Sequence, residues 1–70
     1  MSFQEAATAF EDPLGAYYPD TLQEDRLILI GYSRLQRLLY VVHAEVQREV
    51  IRIISARRAT RMERKIYEEG

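Results

Sequence analysis

The start of the chain carries apolar positions at helical spacing. Ser2, followed three residues later by Glu5, is a capping box in which each side chain bonds to the other residue's backbone N–H. The apolar residues that follow lie on one stripe of a helix: Phe3, Ala6 or Ala7, and Phe10. Because the residue before a proline avoids helical dihedral angles, the Asp12-Pro13 pair predicts the end of this helix.

Runs of branched and aromatic residues then predict β-strands. Residues 26–33, 37–46 and 50–57 are rich in Ile, Leu, Val and Tyr, and polar turns bound each run. The three-residue turns 34–36 and 47–49 join these runs into an antiparallel meander. Residues 14–18 are a candidate further strand, and the polar, aperiodic residues 19–25 predict a surface loop.

A second capping box, Thr60 with Glu63, predicts a helix that runs to about Glu69. Met62 and Ile66 form its narrow apolar stripe, while Glu63 and Tyr67 share an edge at i,i+4 spacing. The predicted fold is a single α+β domain over residues 1–70. It has an N-terminal helix, an antiparallel sheet of three to four strands and a C-terminal helix.

The predicted sheet needs more cover than the predicted helices supply. Apolar residues occupy both parities of each strand, which predicts two partly covered faces. A single core in so short a chain rarely yields more than about 3–5 kcal/mol. We therefore expect another subunit or a further segment to bury the remaining apolar surface, and we expect a homo-oligomer, either a dimer or a tetramer.

Composition excludes several classes of protein. The 70 residues include no cysteine and one histidine, which rules out disulfide frameworks and cysteine-ligated zinc. No apolar run approaches the roughly 20 residues of a membrane span, and no signal peptide is visible. We expect a cytoplasmic protein that needs no metal ion or other cofactor and does not contact a membrane.

The formal net charge of −1 hides a strong segregation of charge along the chain. Residues 1–25 carry six acids and no base, whereas residues 26–67 carry all ten bases and three acids. Nine of these bases are arginine, which suits bidentate contacts with phosphate or carboxylate groups. Two interpretations stay open: the two parts neutralise each other in the fold, or the basic part binds a phosphate-bearing partner.

The densest basic region lies where the last strand passes into the final helix. Strand alternation predicts that Arg52 lies on the opposite face from Ser55 and Arg57. The bases that follow Arg57 within a short distance are Arg58, Arg61, Arg64 and Lys65. A phosphodiester would find many donors here. The alternative is an exposed basic helix whose ion pairs go to acids on the first helix.

Three other side chains are candidates for proton transfer. His43 and Glu45 lie two residues apart on one strand, so they share a face, and only histidine has an unperturbed pKa near neutrality. Tyr67 can donate a proton, stack on a base or anchor its helix. A hydrogen-bonded structural role for His43 and an anchoring role for Tyr67 are the commoner outcomes. The five tyrosines are scattered along the sequence and predict no base-stacking platform.

Several motifs together resemble a known family. The run RIISARRAT at residues 52–60 is followed by Glu63-Arg64 and Tyr67-Glu68. The other matching pieces are FQEAA at 3–7, Asp12-Pro13, Asp25-Arg26 with Ile30-Gly31, RLL at 37–39, and His43 with Glu45. With these motifs, essentially the whole chain resembles the BrnT family, which are small toxins of bacterial toxin–antitoxin systems.

The resemblance implies a RelE/ParE-like fold and a ribonuclease toxin that cuts RNA without metal and is neutralised by a BrnA-type antitoxin. Residue chemistry then assigns Arg57 and Arg52 to phosphate binding, with Arg57 in the catalytic set, and makes His43, Glu45 and Tyr67 the proton-transfer candidates. The remaining bases assigned to RNA binding are Arg58, Arg61, Arg64 and Lys65.

One departure from the family bears on activity. Members usually begin with a further strand and helix before the segment that matches Ser2 and Phe3, and this sequence does not contain that piece. Two hypotheses follow. The chain is an active endoribonuclease toxin, or it is a non-catalytic, truncated toxin-like interaction module that self-associates.

Overall fold

A computed structural model describes residues 1–47 and 50–70 of the chain. The elements, in chain order, are α1 (Phe3–Thr8) with a 3-10 turn (Ala9–Glu11), β1 (Ala16–Pro19), β2 (Leu27–Tyr32), β3 (Leu38–Gln47), β4 (Val50–Arg58) and α2 (Arg61–Glu69). The four strands form one antiparallel sheet in the order β1-β2-β3-β4. The predicted α+β fold with its meander is therefore confirmed, and the candidate further strand is β1.

Helix α1 begins at its predicted cap, Ser2, but the Glu5 side chain does not complete the predicted capping box. The Ser2 hydroxyl accepts a hydrogen bond from the Glu5 amide, as a capping box requires. The Glu5 carboxylate does not return to Ser2, because it is buried against the β2–β3 turn, where it accepts hydrogen bonds from Ser33 and Arg37. The reciprocal half of the predicted box is therefore absent. In its place, an ion pair between Glu5 and Arg37 ties the helix to the sheet.

The turn between β2 and β3 needs no glycine. Gln36 has a φ of 63°, the left-handed conformation that three-residue hairpin loops favour at their last position. Backbone hydrogen bonds from Gln36 to Ser33 and from Ser33 to Arg37 close the turn. The other predicted turn, at residues 47–49, falls largely outside the described residues.

The two faces of the sheet carry separate apolar clusters. On the face we call the α1 face, Leu29, Leu39 and Val41 pack against Ala6 and Ala9. On the opposite face, which we call the α2 face, Ile28, Ile30 and Leu38 are buried. The partly buried residues packed on this second cluster are Tyr18, Tyr32, Tyr40, Val42, Ala59 and Tyr67. The two-sided burial that the strand pattern predicts is confirmed.

Helix α2 has its predicted capping box, but it packs on the sheet through Tyr67 and not through its apolar stripe. Both hydrogen bonds between Thr60 and Glu63 are present. The predicted apolar stripe faces outward, with Met62 78% and Ile66 46% exposed. Tyr67 is the side chain of α2 that joins the cluster on the sheet. The Met62–Ile66 stripe therefore does not cover the sheet, because polar bonds of Tyr67 and Glu63 orient the helix.

Candidate functional site

A β-bulge places Arg52 and Arg57 on the same face of the sheet. Arg57 lies opposite Tyr40 and Arg52 lies opposite Ala44, and directly opposed residues of antiparallel strands share a face. The pairing register shifts between Val42 and His43, so β4 contains one extra residue between Arg52 and Arg57. The prediction that simple alternation separates Arg52 from Arg57 is therefore wrong, and both belong to the α2 face.

Arg57 is held flat and rigid on this face. Its guanidinium carbon lies 4.1 Å from the centroid of the Tyr40 ring. Its Nη1 and Nη2 donate to the two carboxylate oxygens of Glu63 at 2.7 and 2.8 Å, and Nη1 also donates to the Arg58 carbonyl at 3.2 Å. This bidentate pairing raises the pKa of Arg57 and lowers that of Glu63, so both groups are charged at neutral pH.

Tyr67 belongs to the same face as Arg57 and is tied to the start of the chain. Its hydroxyl donates to Asp12 Oδ2 at 2.7 Å, and its ring packs edge-to-face on Tyr32 at 5.3 Å. Burial, together with the hydrogen bond to Asp12, raises the pKa of Tyr67 to about 12. The phenol is therefore protonated at neutral pH and can act only as a proton donor.

The four tyrosines Tyr18, Tyr32, Tyr40 and Tyr67 gather on the α2 face, although they are far apart in the sequence. They come from β1, β2, β3 and α2, one from each element. The tyrosines are thus scattered in sequence, but four of the five share one face of the fold. The fifth, Tyr17, lies on the other face, against His43.

His43 and Glu45 share a face, as predicted, but it is the α1 face. His43 is only 2% exposed, with Phe10 and Tyr17 packed edge-to-face around its ring. Burial lowers the pKa of His43 and outweighs its contact with the Val41 carbonyl. Glu45 lies further along β3 and is exposed. The sheet itself therefore separates these two candidates from Arg57 and Tyr67.

The remaining bases are distributed over both sides of the molecule. Arg58 pairs with Leu39, which places it on the α1 face, one position away from Arg57. On α2, Arg64 Nη1 donates to the Tyr32 hydroxyl at 3.0 Å, and Arg61 and Lys65 are exposed. Within the described residues, no base of α2 pairs with an acid of α1. The acids Glu5 and Glu11 pair instead with Arg37 and Arg34.

Two acidic residues at this site were missed as functional candidates. Glu63 orients Arg57, and Asp12 holds Tyr67 while also accepting the backbone N–H of Tyr32. In the sequence, Glu63 is a predicted helix cap and Asp12 a predicted helix end, and both belong to motifs of the family resemblance, but neither pattern gives them a role at the site. Their partners lie 6 and 55 positions away, and no periodicity connects such pairs.

The described residues, 1–47 and 50–70, form neither a metal-binding cluster nor a membrane-spanning helix. No group of three or more His, Asp or Glu side chains there is arranged to hold a metal ion. No helix there has the length and apolar character to cross a membrane.

Comparison with protein families identifies the chain. The sequence model of BrnT, the ribonuclease toxin of a type II toxin–antitoxin system, matches residues 1–63. The chain belongs to the BrnT family. No curated protein matches it. The matched segment includes β1 to β4, with Arg52 and Arg57, and the first residues of α2. Most of the α2 face of this BrnT protein therefore lies within the segment that matches the family.

Proposed function

We propose that this BrnT protein is a metal-independent endoribonuclease that binds RNA across its α2 face and is inhibited by a BrnA-like antitoxin in the cytoplasm. The family supports a ribonuclease toxin of a type II system. The observation that carries the choice of face is the bulge in β4, because of which Arg52 and Arg57 share the face on which Arg64 of α2 contacts Tyr32. Guanidinium groups on one face suit a phosphate backbone.

The proposed reaction is an internal transfer at one phosphate of the RNA. The ribose 2′-oxygen bonds to phosphorus, the bond from phosphorus to the 5′-oxygen breaks, and a 2′,3′-cyclic phosphate and a 5′-hydroxyl result. Arg57 balances the charge that develops on the phosphorane. Glu63, which Arg57 keeps ionised, takes the proton of the 2′-hydroxyl, and Tyr67 donates a proton to the departing 5′-oxygen. Both proton-transfer groups lie on the face that holds Arg57.

This proposal keeps two of the candidate catalytic residues and sets two aside. Arg57 and Tyr67 contribute to the α2 face, and Arg52, Arg61, Arg64 and Lys65 supply phosphate contacts. His43 is enclosed between aromatic rings on the other face, and Glu45 and Arg58 share that face. A phosphate held by Arg57 would therefore be out of their reach.

Cleavage in a chelator tests the proposal. Purified protein in EDTA should release fragments that end in 2′,3′-cyclic phosphate, and adding the cognate antitoxin should stop the reaction. Replacing Arg57 with Ala should lower the cleavage rate by about 10²–10³-fold, the typical loss when one charge-stabilising donor is removed. Arg34→Ala is the matched control because it removes an exposed arginine that also pairs with a glutamate, Glu11. The control should cleave at the wild-type rate.

Two results would contradict this function. Cleavage that EDTA abolishes and Mg²⁺ restores would overturn metal independence. Absence of cleavage of any RNA would favour the second candidate function, a non-catalytic module that self-associates. One observation favours that second candidate: Glu63 already occupies the guanidinium fork of Arg57, which a phosphate would otherwise take.

A further inference from the structure

The four tyrosines of the α2 face divide into two pairs with different contacts. Tyr32 and Tyr67 hold α2 against the sheet. Their rings contact each other, the Tyr32 hydroxyl accepts from Arg64, and the Tyr67 hydroxyl donates to Asp12. Tyr18 and Tyr40 take no part in these contacts. They lie on β1 and β3, half-buried over the cluster of Ile28 and Ile30. Attachment of the helix therefore explains only half of this aromatic surface.

Tyr40 of the second pair stacks with Arg57, and Tyr18 lies on the same face of the sheet. The guanidinium group of Arg57 stacks on the Tyr40 ring, and about half of the arginine side chain is exposed. Tyr18 pairs with Ile28 and Tyr40 pairs with Ile30, so both tyrosines lie on the α2 face, on the two strands that flank β2. Tyr18 and the Tyr40–Arg57 stack thus lie on one side of the sheet, and each is at least partly exposed to solvent.

The contacts of Arg57 leave the flat outer side of its guanidinium group for a planar ligand. Three of its donor contacts are already made to Glu63 and to the Arg58 carbonyl, which fixes the plane of the guanidinium. A planar cation fixed in this way offers its outer face for stacking, and nucleobases stack on arginine planes as well as on tyrosine rings. Arg52 is exposed on the same face as Arg57. The partners of the two arginines on β3, Ala44 and Tyr40, are four residues apart, so Arg52 lies about 13 Å from Arg57 along the strand.

We infer that Tyr18 and the Tyr40–Arg57 stack form a platform on which unpaired nucleobases stack, with Arg52 binding a phosphate of the same strand. The ligand class is single-stranded RNA, because the faces of bases in a duplex are covered by their neighbours. The inference rests on the proposed function, which assigns RNA to the α2 face. It adds that the bases themselves, and not only the phosphates, provide affinity.

Binding of strands that resist cleavage tests the platform separately from catalysis. The probes are a 2′-O-methyl RNA octamer, the same octamer with abasic positions, and its duplex. The wild type should bind the single strand at least about tenfold more tightly than the abasic strand or the duplex, since stacking one base is worth about tenfold or more. Tyr40→Leu should lower affinity by a similar factor, and Tyr40→Phe, which keeps the ring, should restore it.

Salt dependence separates stacking from phosphate binding. Tyr40→Leu should leave the slope of log affinity against log salt unchanged, whereas Arg52→Ala should reduce the magnitude of that slope by about 0.7, the value for one phosphate contact with a single strand. Tyr17→Leu is the matched control, because Tyr17 adjoins Tyr18 in sequence but lies on the α1 face and is 54% exposed. It should bind RNA as the wild type does.

The outcomes for the platform and for the nuclease are distinct. Equal affinity for the normal and abasic octamers, or equal losses in Tyr40→Leu and Tyr17→Leu, would overturn the platform even if the protein cleaves RNA. Base-dependent binding without cleavage of any RNA would support the platform and overturn the nuclease. Thermal unfolding of each variant confirms that a loss of affinity arises in a folded protein.

Discussion

At the scale of single residues, the surroundings of His43 give it a role that its side-chain type does not reveal. The ring is buried between Phe10 and Tyr17, and burial disfavours the charged imidazolium, which lowers the pKa of His43. A neutral, aromatic-like His43 packs as part of the α1 face. Sequence alone offers the structural and the catalytic interpretation, and it cannot choose between them because the residues that enclose His43 come from other elements.

This burial predicts how stability depends on pH. Below the ordinary histidine pKa of 6.5, the unfolded chain binds a proton that the folded chain resists, so the free energy of unfolding should fall as the pH drops. The slope should approach about 1.4 kcal/mol per pH unit below pH 6.5 and level off below the lowered pKa. Glu5, Asp12 and Glu63, whose pKa is also lowered, act only at more acidic pH.

Urea denaturation between pH 7.5 and 5.5 checks this prediction. A His43→Leu variant should lose the slope over that interval, whereas Arg34→Ala should keep it. Identical slopes in the wild type and the His43→Leu variant would show that another group titrates there.

At the scale of elements, one extra residue in β4 decides which side chains share the α2 face. Runs of branched and aromatic residues, bounded by polar turns, are enough to predict β2, β3 and β4 with small errors at their ends. The bulge carries no comparable signal in the run RIISAR, yet it reverses the face of every residue beyond it. The strands are thus predictable, while the grouping of Arg52 with Arg57 is not.

Deletion of Ile54 tests the bulge. The extra residue is absorbed between Ile53, which pairs with His43, and Ser55, which pairs with Val42, so the deletion should leave both pairs and the faces of Arg52 and Arg57 intact. We expect the free energy of unfolding to fall by about 1–2 kcal/mol, the loss of one half-buried side chain. The variant Ile54→Ala is the matched control, and it should be about equally stable.

The alternative register predicts a different outcome for the same deletion. In a regular strand, removing one residue would turn over residues 50–53, expose Ile53 and move Arg52 to the other face. A deletion variant far less stable than Ile54→Ala, or one in which Arg52→Ala no longer changes the salt dependence of RNA binding, would therefore contradict the bulge.

For the helices too, the sequence predicts local structure but not orientation. Both caps are local patterns and are predictable, since a capping box spans four residues. The orientation of α2 depends on Asp12 and Arg57, which lie in other elements, so periodicity within the helix could not reveal that Met62 and Ile66 face outward. The residues that form the candidate site are predictable by type, but their assembly depends on long-range polar contacts.

At the scale of the whole molecule, folding cancels part of the charge segregation along the sequence. Glu5 and Glu11, from the acidic segment, pair with Arg37 and Arg34. Among the described residues, Arg52 and the exposed bases of α2 make no ion pair. The first interpretation of the charge pattern is thus partly confirmed, because acids neutralise the turn between β2 and β3. Binding of a phosphate-bearing partner stays a prediction, for which the positive charge on the α2 face is available.

The accessible surface leads to a prediction about assembly. The chain exposes 5303 Å², whereas a compact monomer of 8.2 kDa exposes about 4,500 Å². The excess of about 800 Å² equals what one partner buries in an interface of standard size. Large apolar side chains account for part of it, including Met62 and Leu14, which are exposed. We therefore expect self-association into a dimer or tetramer at micromolar concentration.

Light scattering coupled to size exclusion measures this assembly directly. The expected mass is a whole multiple of 8.2 kDa, and dilution should shift it towards the monomer. Because apolar burial rather than charge would drive the association, raising the salt concentration should leave the mass unchanged, while RNA binding weakens. A stable monomer at tens of micromolar would contradict self-association. It would leave the exposed apolar side chains to be covered by an antitoxin, whose addition should then form a complex containing one copy of this chain.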